Sequence, residues 1–214
     1  QAVVWAGFSI DSEDFATLSR RVSGAKRKFY NSRGAPQHWE IKSSRLVTPN
    51  PWKRANNRNF AAELVRILRG VGATTYSVTM NKPNMINPMT LAATTPLQLQ
   101  CLVEHFDAEC RSMGRIGLVV ADWSAPQSDH HASQCVASYV VAHNLRVNPC
   151  VLYASSLSNP AIQVADAIAA VRRRVAEGDT SLVALETDIQ AVISMPGMLN
   201  TYAGRPFSNK VTMF

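Results

Sequence analysis

Three carboxylates in this chain occupy places where a carboxylate has to be explained. Asp166 lies in Asn159-Pro-Ala-Ile-Gln-Val-Ala-Asp-Ala-Ile-Ala-Ala-Val-Arg-Arg-Arg174. That segment reads as a helix, with Asn159 as its cap, Pro160 in its first turn and apolar residues at helical spacing. Gln163 and Asp166 stand three residues apart and so share a face. An ionised carboxylate among Val164, Ala165, Ala167 and Ile168 is costly to bury unless it meets a cation or several donors. Asp122 ends the apolar run in Gly117-Leu-Val-Val-Ala-Asp-Trp-Ser124. Ile116–Ala121 reads as a strand buried on both faces, and ligands of open α/β sheets bind where such strands end. Glu40 alternates with Lys42 in His38-Trp-Glu-Ile-Lys42, a predicted strand edge with Trp39 and Ile41 facing the other way.

Acids spread over two strand ends and a helix suit a hard divalent cation, since Mg²⁺ takes oxygen ligands and keeps several waters. Two such ions about 3.5–4 Å apart activate a water and stabilise the leaving oxygen of a phosphodiester. Each acid also fits a plainer role. Glu40 can pair with Lys42 or a nearby arginine, Asp122 can accept backbone N–H bonds in a turn with Ser124, and Asp166 can pair with an arginine such as Arg173. Gln163 alone is an ordinary helix-surface amide. The histidines are weaker candidates. His130 and His131 point apart at a helix start and make a poor transition-metal pair, and His38 reads as a partly exposed loop residue.

The formal charge is +7, unevenly distributed. Residues 1–70 hold 13 Lys+Arg against 5 Asp+Glu, and the remaining 144 hold 9 against 10. Between Ile41 and Ala62 there is no acid, while Lys42, Arg45, Lys53, Arg54 and Arg58 accumulate near Trp39 and Trp52. Cations interleaved with aromatics suit a phosphate backbone and stacked bases; a solvated basic face accounts for the same pattern.

The elements that position these groups alternate in type. Val3–Ile10 reads as a strand, followed by a helix capped at Asp11 or Ser12 that ends in Lys26, Arg27 and Lys28, matching its dipole. Residues 31–57 read as a long polar loop. An amphipathic helix over Phe60–Leu68, a strand over Ala73–Met80, a helix from Thr95-Pro96 to Gly114, a helix over Asp129–Leu145 and a strand over Cys150–Tyr153 follow. A final helix is predicted over Ser181–Ile193. Strands interleaved with helices predict an α/β fold with a mixed or parallel sheet, one domain over residues 1–195 and a tail over 196–214. No apolar run approaches the roughly 20 residues that span a bilayer. Cys101, Cys110, Cys135 and Cys150 lack metal-finger spacing and read as reduced thiols of a cytoplasmic protein. Gly-x-x-x-x-Gly-Lys-[Ser/Thr] and Gly-x-Gly-x-x-Gly are both missing, which argues against an enzyme of small phosphorylated metabolites.

In this order, Val3-Val4-Trp5-Ala6-Gly7-Phe8-Ser9-Ile10, Glu40-Ile41-Lys42, the strand ending at Asp122, and Ser158 to Asp166 in a Ser-x-x-x-x-Gln-x-Ala-Asp pattern resemble the large bacterial and phage family catalogued as domain of unknown function 3800. The resemblance covers most of residues 1–175. It implies a ribonuclease H-like mixed sheet flanked by helices and a metal-dependent acidic site. Glu40, Asp122 and Asp166 would bind Mg²⁺ or Mn²⁺ and carry catalysis. Lys42 would steady Glu40 or a phosphate, and Gln163 would orient Asp166 or touch substrate. One departure stands out. The family pattern places an Asp-Glu-Ser-Gly or Asp-Asp-Ser-Gly strand before the Ala-Gly-Phe strand; that strand is central in a ribonuclease H-like sheet and supplies the first metal carboxylate. Here the sequence opens directly on the second strand, so the natural start is expected upstream, or the strand comes from another chain, or it is lost.

The expected function is therefore a metal-dependent nuclease acting on DNA or RNA, with Lys42, Arg45, Lys53, Arg54 and Gln163 holding substrate. The alternative is a non-catalytic nucleic-acid-binding or assembly protein that keeps the fold with an incomplete site. A homo-oligomer or a partner chain is expected where the sheet edge is left open.

Overall fold

The computed structural model describes residues 2–81, 89–123, 126–192 and 212–213. The first strand, β1 (Ala2–Ser9), pairs antiparallel with β2 (Thr74–Asn81) in a register running from Ala2 opposite Asn81 to Ser9 opposite Thr74. Between them lie α1 (Phe15–Tyr30), short 3₁₀ turns at Asn31–Arg33, Pro36–His38 and Ser43–Arg45, the single turn α2 (Pro49–Trp52) and α3 (Ala55–Gly70). After β2 come α4 (Met89–Ser112), β3 (Val120–Asp122), α5 (Pro126–Ala142), β4 (Leu152–Ala154), α6 (Pro160–Ala176) and α7 (Val183–Gln190). A last short strand, β5 (Thr212–Met213), adds to the outer edge of β2. The fold is mixed α/β, as expected, and no described helix is long and apolar enough to cross a membrane. The expected tail over 196–214 falls outside the described residues except for β5.

Among the described residues the strands form two ladders rather than one sheet: β1–β2–β5, and β3 parallel to β4 with Val120 opposite Leu152 and Asp122 opposite Ala154. A bridge between Gly117 and Val147 extends the second ladder backward. The backbone comes close to α4 here, because a Cβ on Gly117 would collide with the Phe106 ring and the Cys110 sulfur. The ladders are joined at one end by Arg115, just before β3, which pairs with Asp11, just after β1.

The main core lies between α1, α3, α6, α7 and the β1–β2 face. Leu18, Val22, Phe60, Leu64, Leu68, Val164, Ile168, Val171 and Leu182 are buried there, at the period expected of amphipathic helices. Phe60 meets Phe29 and Tyr30 edge-to-face, with ring centroids 6.0 and 5.2 Å apart. A buried Arg172–Glu186 pair at 2.7 Å joins α6 to α7. A second, smaller cluster of Val103, Val136, Val140 and Val147 packs α4 against α5 beneath the β3–β4 ladder.

The β3 region departs from expectation. Ile116, Leu118 and Val120 are 79%, 48% and 47% exposed, not buried. Alternation explains the pattern: Gly117 and Val119 turn toward α4 and α5, while the other face of the ladder carries no layer among the described residues. Glu40-Ile41-Lys42 belongs to no strand, because no backbone among the described residues pairs with it as a ladder. Helices α4 and α5 begin earlier than predicted, at Met89 and Pro126.

Candidate acidic site

The start of α6 organises the site. Asn159 caps it, its side chain accepting the Ala161 N–H at 3.0 Å, and Pro160 fills the first helical position. One turn in, Gln163 is only 1% exposed. Its Oε1 accepts the Ile41 N–H at 3.1 Å, and its Nε2 donates to the Ser156 carbonyl and, at 3.5 Å, to that of Leu157. One amide thus clamps together the segment bearing Glu40 and the turn that follows β4. Sequence reading had it orienting Asp166 or touching substrate; its polar atoms are engaged with backbone instead.

Asp166, one turn further, is exposed, contrary to its apolar surroundings in sequence. Val164, Ala167 and Ile168 face the core, while the Asp166 carboxylate turns out and accepts the Ser43 N–H at 3.1 Å through Oδ2. That bond anchors the start of the Ser43–Arg45 turn to α6. Glu40 pairs with Lys42 at 3.6 Å through Oε2. Asp122 closes the set at the end of β3. Partial desolvation raises its pKa above the usual aspartate value, hydrogen bonds from the Ser156 backbone and hydroxyl oppose this, and the charges of Glu40 and Asp166 raise it further. Glu40 and Asp166 therefore each lie within electrostatic reach of Asp122. Among the described residues, however, no three acidic, histidine or cysteine side chains converge closely enough to ligate one ion. Glu40 engages Lys42 through Oε2, and Asp166 engages Ser43 through Oδ2.

The remaining predicted residues separate. Lys53 and Arg54 follow α2 and are exposed. Their neighbourhood is tied by Asn57, whose Nδ2 donates to the carbonyls of Arg45 and Pro51, and by Trp52, whose Nε1 donates to the Ser181 carbonyl. Neither cation meets the acids among the described residues. His38, His130 and His131 are exposed, and His131 lies 3.8 Å from the Cys135 sulfur on the far helix α5. All four cysteines are free.

Lys26 is a residue the sequence reading missed. It is 2% exposed, donates to the carbonyls of Pro36 and Trp39 at 3.1 and 2.9 Å, and sits 4.8 Å from the Trp39 ring centre. Burial lowers its pKa to about 8, with the Glu40 charge acting in the opposite direction. It holds the backbone immediately before Glu40. Its signal was periodicity: Leu18, Val22, Ala25 and Lys26 form one buried stripe of α1, which its place in the Lys26-Arg27-Lys28 run disguised. Trp39 and Trp52, expected beside the cations as stacking surfaces, are partly buried. Trp39 packs on the core and carries Lys26 and Arg33 over its ring.

No protein-family model, curated protein or solved structure matches this chain.

The arrangement brings the charges of Glu40 and Asp166 toward Asp122 at the end of β3, with neighbouring backbone held by the buried Gln163 and Lys26 and exposed Lys42 paired with Glu40. Clustered carboxylates of this kind favour a cation, and the neighbouring lysine favours an anion beside it.

Proposed function

We propose that this chain is a metal-dependent nuclease built on a ribonuclease H-like frame, with Glu40, Asp122 and Asp166 as the residues that would hold Mg²⁺ or Mn²⁺. The observation that carries the reading is geometric: Gln163 and Asp166 of α6 hold the Glu40–Ser43 segment by its backbone, and Asp122 at the end of β3 lies close enough to feel the charges of Glu40 and Asp166. A bound cation would offset the repulsion between these carboxylates. Oxygen-only donors match a hard divalent ion. When bound, the ion would supply Lewis-acid polarisation of a phosphate and a water of lowered pKa. Lys42 and Arg45 would hold the phosphate backbone, and Gln163, Ser43 and Lys26 would keep the acid-bearing segments in place.

The frame is supported by the way the strands divide. β1 and β3 each use one edge among the described residues, and Arg115 and Asp11 tie the two ladders together. One strand lying between β1 and β3 would join the ladders into a single sheet. That is the central strand which the resembled pattern places first, with its own carboxylate.

A non-catalytic binding or assembly role is the second reading. It is favoured by the lack of any three-ligand convergence among the described residues. Calorimetric titration of Mn²⁺ into this chain and into Asp122→Asn separates the two. Binding in the first and loss in the second supports the metal site, and labelled DNA and RNA should then be cleaved only with divalent cation. Asp166→Asn should abolish the same cleavage with its circular dichroism unchanged. Full cleavage by both variants would sink the nuclease reading, and a lack of Mn²⁺ binding by the parent chain would leave the binding role.

A further inference from the structure

We propose that the exposed cations gathered around buried Asn57 form an anchoring surface for nucleic-acid phosphates, separate from the acidic site and indifferent to base sequence. The inference rests on the nucleic-acid part of the reading above and adds where the backbone is held.

Asn57, on α3, is 4% exposed and ties four segments together. Its Nδ2 donates to the carbonyls of Arg45, Leu46 and Pro51 at 3.1, 3.4 and 2.9 Å, and its Oδ1 accepts the Tyr30 hydroxyl from the end of α1. One buried amide therefore joins the Ser43–Arg45 turn, α2, the start of α3 and the end of α1. Five exposed cations, Arg33, Arg45, Lys53, Arg54 and Arg58, lie on those segments or directly after them. Arg33 stands 4.7 Å from the Tyr30 ring centre. Burial raises the pKa of Tyr30, and the charges of Arg33 and Arg54 act against that rise, so two guanidinium groups from different segments approach one phenol. Arg58 donates to the carbonyls of Trp52 and Lys53 at 3.1 and 2.6 Å, which holds its charge against the turn that carries Lys53.

This corner differs from the rest of the surface in its lack of acids. Elsewhere exposed arginines meet carboxylates: Arg66 pairs with Glu63, Arg69 with Asp188, Arg111 with Asp107 and Arg115 with Asp11. None of the five cations enters an ion pair among the described residues. The flanking acids in sequence, Glu40 and Glu63, are taken by Lys42 and Arg66. Like charges crowded without partners destabilise a fold by self-repulsion, and a polyanion removes that repulsion. Four of the five are arginines, whose planar fork matches a phosphate through two hydrogen bonds.

The Ser43–Arg45 turn connects this surface to the acidic site. The Ser43 N–H bonds to Asp166 at one end of the turn, and the Arg45 carbonyl bonds to Asn57 at the other. An extended phosphate backbone can occupy the cations while a further phosphodiester reaches the acids, which neither an acidic lipid surface nor a folded acidic protein does.

The test is run in EDTA, so that it does not depend on a bound metal. Fluorescein-labelled duplex DNA and a single strand of the same sequence are the probes, with anisotropy followed from about 50 to about 200 mM KCl. The parent chain is compared with Arg33→Gln/Lys53→Gln/Arg54→Gln and with a control, Arg20→Gln/Arg146→Gln/Arg173→Gln, which lowers the net charge equally from other exposed positions. Each phosphate contact contributes about 0.7–0.9 to the slope of log affinity against log salt, so the first variant should bind more weakly with a slope shallower by about 2–3. The control should match the parent. Lys53→Gln and Arg54→Gln alone should each lower the slope by about 1, and they decide the matter if circular dichroism finds the triple variant unfolded. Equal slopes in the first variant and the control, or no binding of either probe by the parent, overturn the proposal. Loss of binding to phosphatidylserine vesicles with nucleic-acid binding retained would assign the cations to a lipid surface and also overturn it. Mn²⁺ calorimetry should be the same for all these variants; a lack of Mn²⁺ binding by the parent would sink the metal site and leave the anchoring surface standing.

Discussion

A buried lysine that donates to two carbonyls places the Glu40 segment more firmly than any contact Glu40 itself makes. Neutral lysine retains two N–H bonds, matching the two acceptors at Pro36 and Trp39, so loss of its proton leaves the geometry intact. This gives a pH effect of definite sign. The folded pKa is about 8 against an ordinary 10.5. Between those values the unfolded chain binds a proton that the folded chain has released, and stability therefore rises with pH across that window. Below it both states are charged and the contribution is flat. Urea unfolding of the parent chain and Lys26→Met from about pH 7 to about pH 10 should show the parent gaining relative to the variant as pH rises. A constant difference would mean that Lys26 is not desolvated in the folded state.

At the scale of the element, Gly117 decides how closely β3 approaches α4. Gly117→Ala sets a methyl group against the partly buried Phe106 ring and the buried Cys110 sulfur. Overpacking of this kind costs about 1–3 kcal/mol, read as a lower midpoint in denaturant, whereas Gly7→Ala meets nothing within 4 Å and should shift it much less. An equal effect at both positions would point to backbone entropy instead. Much of this level was legible beforehand. The α6 helix, its Asn159 cap and the β1 and β2 strands follow from periodicity and capping residues, which are local signals. The gathering of Glu40 and Asp166 about Asp122 was anticipated only through the order of short motifs, because the Glu40 segment is held to α6 by the Ile41 and Ser43 N–H groups bonding to Gln163 and Asp166, which no local pattern encodes. The exposure of Asp166 and of Ile116, Leu118 and Val120 was misjudged for a single reason: an apolar run states which residues favour burial, not whether a layer is there to cover them.

Across the whole molecule, two cores of unequal size predict unequal stability. The larger one buries side chains from α1, α3, α6 and α7 almost completely, with Leu18, Val22, Phe60 and Leu182 at 0% exposure. The smaller rests on four valines from α4, α5 and the Val147 segment, beneath a ladder whose other face carries no layer among the described residues. Burying an aliphatic side chain contributes about 1.5–3 kcal/mol, so opening α5, β3 and β4 forfeits far less than opening the main core. Native-state hydrogen exchange should therefore show amides of α5 and β3–β4 exchanging through local opening, while those of α1, α3 and α6 exchange only with global unfolding. Asp122 lies on the less stable side, and Glu40 and Asp166 lie on the more stable one. A ligand that bridges them binds only the closed arrangement and must slow exchange in β3 by mass action. Mn²⁺ at saturation should protect Val120 and Ala121 selectively, and a strand pairing between β1 and β3 should protect the same amides more strongly. Uniform exchange across both cores, unaltered by Mn²⁺, would mean that the two ladders already move as one unit and that the acids do not share an ion.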